Sequence, residues 1–300
     1  MKDHLFAALQ CLVFLHLCHG MVVHPIVMPS CRSPSPATSQ PNPASDELVI
    51  FLHGRLEADD DEDIFIPEPS QLYSDFLSSL SNKMTANSQI FMPAYHEHCK
   101  DWKHEPRDLT LGPVTSAISQ VIRDHLMSTE QESIKLTMMS FSMGAAILMK
   151  LMANDPILSA AKNSEVDVGI NCRVDIQRLI LIEPVWRCWL PFAVAEAASL
   201  IGDPTSCMIS DLPTLAIAGT NDDEVGYDSG CMGQKNMDGV RRSLRPFLPN
   251  VHVEEIEGGN HFGGLCSGVN DIATAGLGEG VELSYLRNEI IERVSEFSGW

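Results

Sequence analysis

Residues 134–153 read Ile-Lys-Leu-Thr-Met-Met-Ser-Phe-Ser-Met-Gly-Ala-Ala-Ile-Leu-Met-Lys-Leu-Met-Ala. Ile134 to Met139 is a β-rich run and Ile147 to Ala153 has helical character, so the chain passes from strand to helix within a few residues. Lys150 is the only charge inside that helix, which predicts a segment buried almost all round. Ser142 stands at the turn, with Ser140 two places before it and Gly144 two places after. In so tight a turn, side chains at the two flanking positions would collide, so both must be small. The hydroxyl between them is lifted into the open above a helix N-terminus. Ser140 stands where the pattern G-x-S-x-G has glycine, but it keeps the volume low.

Working outward, the same alternation repeats. Leu48 to Leu52, Ile90 to Met92, Leu179 to Ile182, Leu215 to Ala218 and Val251 to Ile256 join Ile134 to Met139 as short β-rich runs. The first run, Leu179 to Ile182 and Leu215 to Ala218 are continuously apolar, as strands covered on both faces must be. Between the runs, apolar residues recur at three- and four-residue steps: Leu72, Phe76 and Leu80; Val114, Ile118, Val121, Ile122 and Leu126; Met237, Val240, Leu244 and Phe247; Leu286, Ile290, Val294 and Phe297. Each is a helical stripe facing a sheet. The expected fold class is α/β, a mostly parallel central sheet with right-handed crossovers and helices on both faces. Chemistry in such sheets gathers at the carboxyl ends of the strands.

Two further strand ends carry polar loops. Ala216-Ile217-Ala218 runs into Gly219-Thr220-Asn221-Asp222-Asp223-Glu224, and Val251 to Glu257 runs into Gly258-Gly259-Asn260-His261-Phe262-Gly263-Gly264. A hydroxyl nucleophile needs a base, and the base needs an anion to fix its tautomer and stabilise the imidazolium. Ser142, Asp222 and His261 supply the three groups in the chain order Ser, acid, His. Asp223, adjacent, and Glu183, closing the run Leu179 to Ile182, are alternative acids.

With these residues in view, the chain from Asp46 to its C-terminus resembles the α/β-hydrolase superfamily, and looks similar to small, cap-poor, dienelactone-hydrolase-like members. The likeness rests on His53-Gly54 after the first strand, Ser-Phe-Ser-Met-Gly at the turn, Gly-Thr-Asn-Asp and Gly-Asn-His. It implies Ser142 as nucleophile, His261 as base, Asp222 as acid, and an oxyanion hole from the backbone N–H groups of Met143 and Arg55. The expected activity is a serine hydrolase cleaving an ester or related acyl bond, without cofactor or metal. Two alternatives stay open: an acyltransferase on the same triad, and a non-catalytic binding protein that retains the fold.

Composition bounds the partners. Forty acidic against twenty basic residues give a net charge of −20. That field repels phosphate backbones and anionic headgroups, so a small-molecule acyl substrate is expected and nucleic acid is not. The acidic run Glu57 to Asp63 has no calcium-loop spacing and reads as a solvated loop. His96-Glu97-His98-Cys99 follows Pro93 and reads as a polar loop ahead of a metal site. Trp186, Trp189 and Phe192 form either core or a wall for an acyl or aryl group, and the connection from Pro184 to Leu212 is too short for a large lid.

Leu5 to Cys18 is apolar, too short to span a bilayer, and ends near Gly20, so residues 1–20 are expected to be a signal peptide and the protein secreted. The alternative is an intracellular protein with an unprocessed N-terminus. Residues 21–45 form a Pro/Ser-rich spacer, with the hydrolase-like domain over 46–300. Beyond the leader lie Cys31, Cys99, Cys172, Cys188, Cys207, Cys231 and Cys266, an odd number, with no C-x-x-C; pairs among the last five are expected in an oxidising compartment.

Overall fold

The computed structural model describes residues 47–54, 69–85, 88–93, 112–129, 133–154, 173–186, 212–222, 226–227, 241, 248, 250–267 and 273–300. Its centre is a six-stranded sheet of β1 (Glu47–Leu52), β2 (Gln89–Phe91), β3 (Ser133–Phe141), β4 (Arg173–Ile182), β6 (Thr214–Gly219) and β8 (Val251–Ile256). The order is β2-β1-β3-β4-β6-β8 and every pairing is parallel. A separate two-stranded ribbon pairs β5 (Val185–Trp186) with β7 (Gly226–Tyr227).

The pleat divides the apolar residues into two cores. Leu48, Ile50, Leu52, Leu136, Met138, Leu179, Leu181, Ala216 and Ala218 face one way, against α3 (Gly112–Thr129) and α4 (Gly144–Asn154). Val49, Phe51, Met139, Phe141, Ile180, Ile182, Leu215 and Ile217 face the other, against α2 (Ser74–Ser81) and α5 (Leu283–Ser298). The short helix α1 (Pro69–Leu72) leads into α2. Helices thus cover both faces, which is why β1 and β6 are buried along their whole length. As its composition requires, α4 is buried from Ala145 to Met149 and again at Leu151 and Met152.

β4 begins six residues before its apolar run. The added stretch, Arg173 to Arg178, pairs with β3 but lies before the β4–β6 ladder, which starts at Leu179. With no strand among the described residues on that side, it need not be apolar. Instead it carries Arg178, whose guanidinium donates to the Ser298 carbonyl at 2.5 Å and stands 3.9 Å from Glu47. Glu47 also accepts from Thr137 Oγ1 and from Trp300 Nε1, the latter at 2.8 Å, tying the end of α5 to the start of β1.

The stripe Met237 to Phe247, the acidic run Glu57 to Asp63, His96 to Cys99, Trp189, Phe192 and the connection that would hold any cap lie outside the described residues, as do residues 1–45. Among the described residues no helix is long and apolar enough to cross a membrane. Cys266 is a buried free thiol, and the other cysteines beyond the leader lie outside the described residues.

Candidate active site

β3 ends at Phe141 and α4 begins at Gly144, leaving Ser142 and Met143 to make the turn. Ser142 adopts φ 52°, a left-handed conformation that a residue with a side chain enters only under strain. Its N–H donates to the Ile182 carbonyl at 3.0 Å, and its carbonyl accepts from Ala145 N–H at 3.0 Å, so strand and helix hold the strained residue from both sides. The reason Gly144 must be small differs from the expected one. A Cβ there would meet the Leu52 carbonyl oxygen at 2.1 Å and that of His53 at 2.8 Å, so the obstacle is the end of β1 and not the side chain at position 140. Ser140 is fully buried in the sheet, with its hydroxyl 3.4 Å from the Ile180 carbonyl.

His261 Nε2 lies 2.8 Å from Ser142 Oγ, and its Nδ1 lies 2.6 Å from Asp222 Oδ2. A carboxylate only accepts, so Nδ1 carries the proton and Nε2 is left to accept from the serine hydroxyl. Both partners are buried, the Asp222 side chain completely. The ring is walled by Phe141 at 5.3 Å and by Phe262, edge-on, at 4.6 Å. A buried anion behind an imidazole behind a hydroxyl is an arrangement that takes a proton from the hydroxyl as it attacks and returns it to a leaving group.

The two loops that carry Asp222 and His261 are stitched together by backbone. Thr220 N–H donates to Ile256 O at 2.9 Å, Asn221 N–H to Gly259 O at 2.9 Å, and Gly258 N–H to Thr220 Oγ1 at 2.8 Å. A Cβ on Gly219 would stand 2.1 Å from the Gly259 carbonyl oxygen, so the approach requires glycine. Asn260, buried beside His261, donates to the carbonyls of Ala273 at 2.8 Å and Ala275 at 2.6 Å and accepts from Gly263 N–H at 2.8 Å. Asn260 was not singled out from the sequence. Its signal was a lone amide in a run of glycines, where a side chain with two donors and an acceptor replaces the missing secondary structure.

Glu183 follows β4, also at positive φ, 45°. It does not reach the imidazole in place of Asp222. Its two oxygens accept from Gly219 N–H at 3.0 and 3.1 Å, and its carboxyl lies within 4.8 Å of that of Asp222. Burial and the neighbouring Asp222 carboxyl push the Glu183 carboxyl well above its ordinary range, against the pull of the Gly219 N–H. Ligand-type atoms of Glu183, Asp222 and His261 lie within 4.8 Å of one another, a spacing a metal could bridge, but both imidazole nitrogens are already engaged by Ser142 and Asp222.

Met143 lies at the turn, its carbonyl accepting from Ala146 N–H at 3.0 Å and from Ile147 N–H at 3.2 Å at the head of α4. Arg55 and Asp223 lie outside the described residues. Gly54, the neighbour of Arg55, is close enough that a Cβ on it would stand 2.7 Å from Ser142 Cβ. His53 is fully buried, with Nδ1 donating to the Gly54 carbonyl at 2.8 Å.

A parallel sheet in this order, a strained serine at the β3–α4 turn, and an acid and a histidine after the next strands across complete the picture. The fold is that of the α/β-hydrolases. No family model matches the sequence, and no curated protein matches it. Solved structures do. An α/β serine hydrolase homologue from Coxiella burnetii is 13% identical, over 83% of this chain and 85% of that one, with a TM-score of 0.41. The dienelactone hydrolase of Anabaena variabilis is 16% identical, over 86% and 87%, at 0.44. Est1E from Butyrivibrio proteoclasticus is 12% identical, over 87% and 92%, at 0.42.

Proposed function

We propose that this α/β-hydrolase-fold chain is a serine hydrolase that cleaves an ester or related acyl bond through an acyl-enzyme. The observation that carries the reading is the unbroken relay from Ser142 Oγ through His261 to Asp222, at 2.8 and 2.6 Å. In this mechanism His261 removes the hydroxyl proton as Ser142 adds to the carbonyl carbon. The protonated imidazole then passes that proton to the departing alcohol. Water, deprotonated by the same nitrogen, cleaves the acyl-enzyme and regenerates the hydroxyl. Asp222 stays ionised throughout and stabilises the imidazolium. Developing negative charge on the carbonyl oxygen falls to the Met143 N–H, with Arg55 N–H as the second donor of the proposal. The position of Gly54 against Ser142 supports that second assignment. Secretion through a cleaved leader is part of the same proposal and rests on the sequence of residues 1–20.

The test is labelling by a fluorophosphonate probe together with turnover of a panel of aryl esters of increasing acyl length. Wild type is expected to label and turn over, and Ser142→Ala to do neither while keeping its circular dichroism. Asp222→Asn is expected to lose on the order of ten-thousandfold in kcat, the magnitude known for the same change in a protease triad. Turnover retained by Ser142→Ala removes the mechanism.

A further inference from the structure

Glu183 is a buried carboxyl that the mechanism above leaves unused. It closes β4 in a strained left-handed conformation, its N–H donates to Ile217 O at 2.7 Å, and its side chain lies 2% exposed behind Asp222. Two buried carboxyl groups within 4.8 Å of one another, with no basic side chain between them among the described residues, cannot both hold a negative charge away from water. Among the described residues, the ionisable groups facing Glu183 are Asp222 and His261, within 4.8 Å, and one anion suffices to pair with the imidazole. Which carboxyl keeps the proton follows from the partners. Asp222 faces His261 Nδ1–H at 2.6 Å, an arrangement that favours its anion. Among the described residues, the donor that Glu183 meets is a neutral backbone group, Gly219 N–H.

Taking the proposed triad as given, we infer that Glu183 is a positioning residue that stays protonated and donates its carboxyl proton to Asp222, holding that carboxylate against His261. Both of its oxygens lie within reach of Gly219 N–H, and the unprotonated one accepts that bond, which fixes the β6 end that carries Asp222. The acid of the site is therefore a pair holding one charge and one proton. Glutamine matches both demands, with an amide N–H to donate to Asp222 and an oxygen to accept from Gly219. Alanine matches neither.

The full chain is measured as wild type, Glu183→Gln, Glu183→Ala and Ser142→Ala. The infrared difference between wild type and Glu183→Gln at neutral pH is expected to show the carbonyl stretch of a protonated carboxylic acid. The low-field proton resonance of the His261 Nδ1–H is expected in wild type, Glu183→Gln and Ser142→Ala, and to be lost or broadened in Glu183→Ala. In turnover, Glu183→Ala is expected to lower kcat on the order of 100-fold with KM little changed, the scale of a displaced catalytic group, and Glu183→Gln to restore most of that loss. The acid limb of the Glu183→Gln pH–rate profile is expected to stay at the wild-type position. A downward shift of about one unit would mean that a charge had been removed, and would overturn the inference. So would absence of the acid band, or an unaltered low-field resonance in Glu183→Ala. If no Ser142-dependent turnover exists while both spectroscopic signatures appear, the hydrolase reading fails and the proton-sharing pair stands.

Discussion

A Cβ placed on Gly144 would stand 2.1 Å from the carbonyl oxygen of Leu52, so the head of α4 and the end of β1 meet backbone to backbone. Neither atom is the far end of a flexible side chain, and both elements are buried. Gly144→Ala is therefore expected to displace the turn that presents Ser142. The expected signs are a stability loss of about 1–3 kcal/mol by denaturant unfolding and a clear fall in the rate of fluorophosphonate labelling. A variant with wild-type stability and labelling would show that the contact yields cheaply.

Asn260 satisfies three backbone groups in a loop with little regular structure of its own. Asn260→Ala strands two carbonyls and one N–H near the site. The expected loss is about 2 kcal/mol or more, since buried polar groups left unpaired carry the full desolvation penalty. His261 is its neighbour in sequence, so kcat is expected to fall further than KM rises. Urea unfolding and steady-state kinetics on the same preparation check both.

The raised Glu183 ionisation has a stability consequence whose sign is fixed. In the unfolded chain this carboxyl titrates near its ordinary value of 4.5, and in the folded chain well above it. Between the two, the folded state binds the extra proton, so stability falls as pH rises through that window. Below it both states are protonated and the effect vanishes. Glu183→Gln has no proton to lose. Its thermal midpoint is expected to gain on wild type as pH rises above about 4.5, and a constant gap there would contradict the assignment.

Cys266 is a free thiol whose ionisation burial pushes up to about 12, partly offset by Arg287. Thiolate is the reactive form, so Cys266 is expected to resist alkylation in the native state. Wild type and Cys266→Ala should take up equal iodoacetamide when folded and differ by one equivalent after denaturation under reducing conditions, counted by mass spectrometry. Modification of Cys266 in the folded chain would show that the site opens.

What could be read from the sequence follows the physics of each position. β1 and β6 were plain because burial on both faces demands an uninterrupted apolar run, and the chain supplies one at each. The first half of β4 was hidden because, among the described residues, it has a strand on only one side, so Asp175 and Arg178 are tolerated there. Ser142, Asp222 and His261 were visible because each follows a recognisable strand. The relation of Glu183 to Asp222 was not, since it depends on two strand ends lying side by side, and sequence alone left the two as rivals. The need for Gly144 was seen while its cause was misplaced, because the obstructing carbonyl belongs to a residue some ninety positions away, beyond the reach of local pattern.

The hydrogen bond from Trp300 Nε1 to Glu47 joins residues 253 positions apart and brings the two extremes of the described domain to one corner of the sheet. The polypeptide there all but forms a ring. A short Gly/Ser bridge from residue 300 back to the start of β1 would span little distance. The circle would then open at the exposed turn Glu279-Gly280, where Gly280 has open space around its Cα. Such a circular permutant would carry α5 ahead of β1 and leave the order of the six strands as it is.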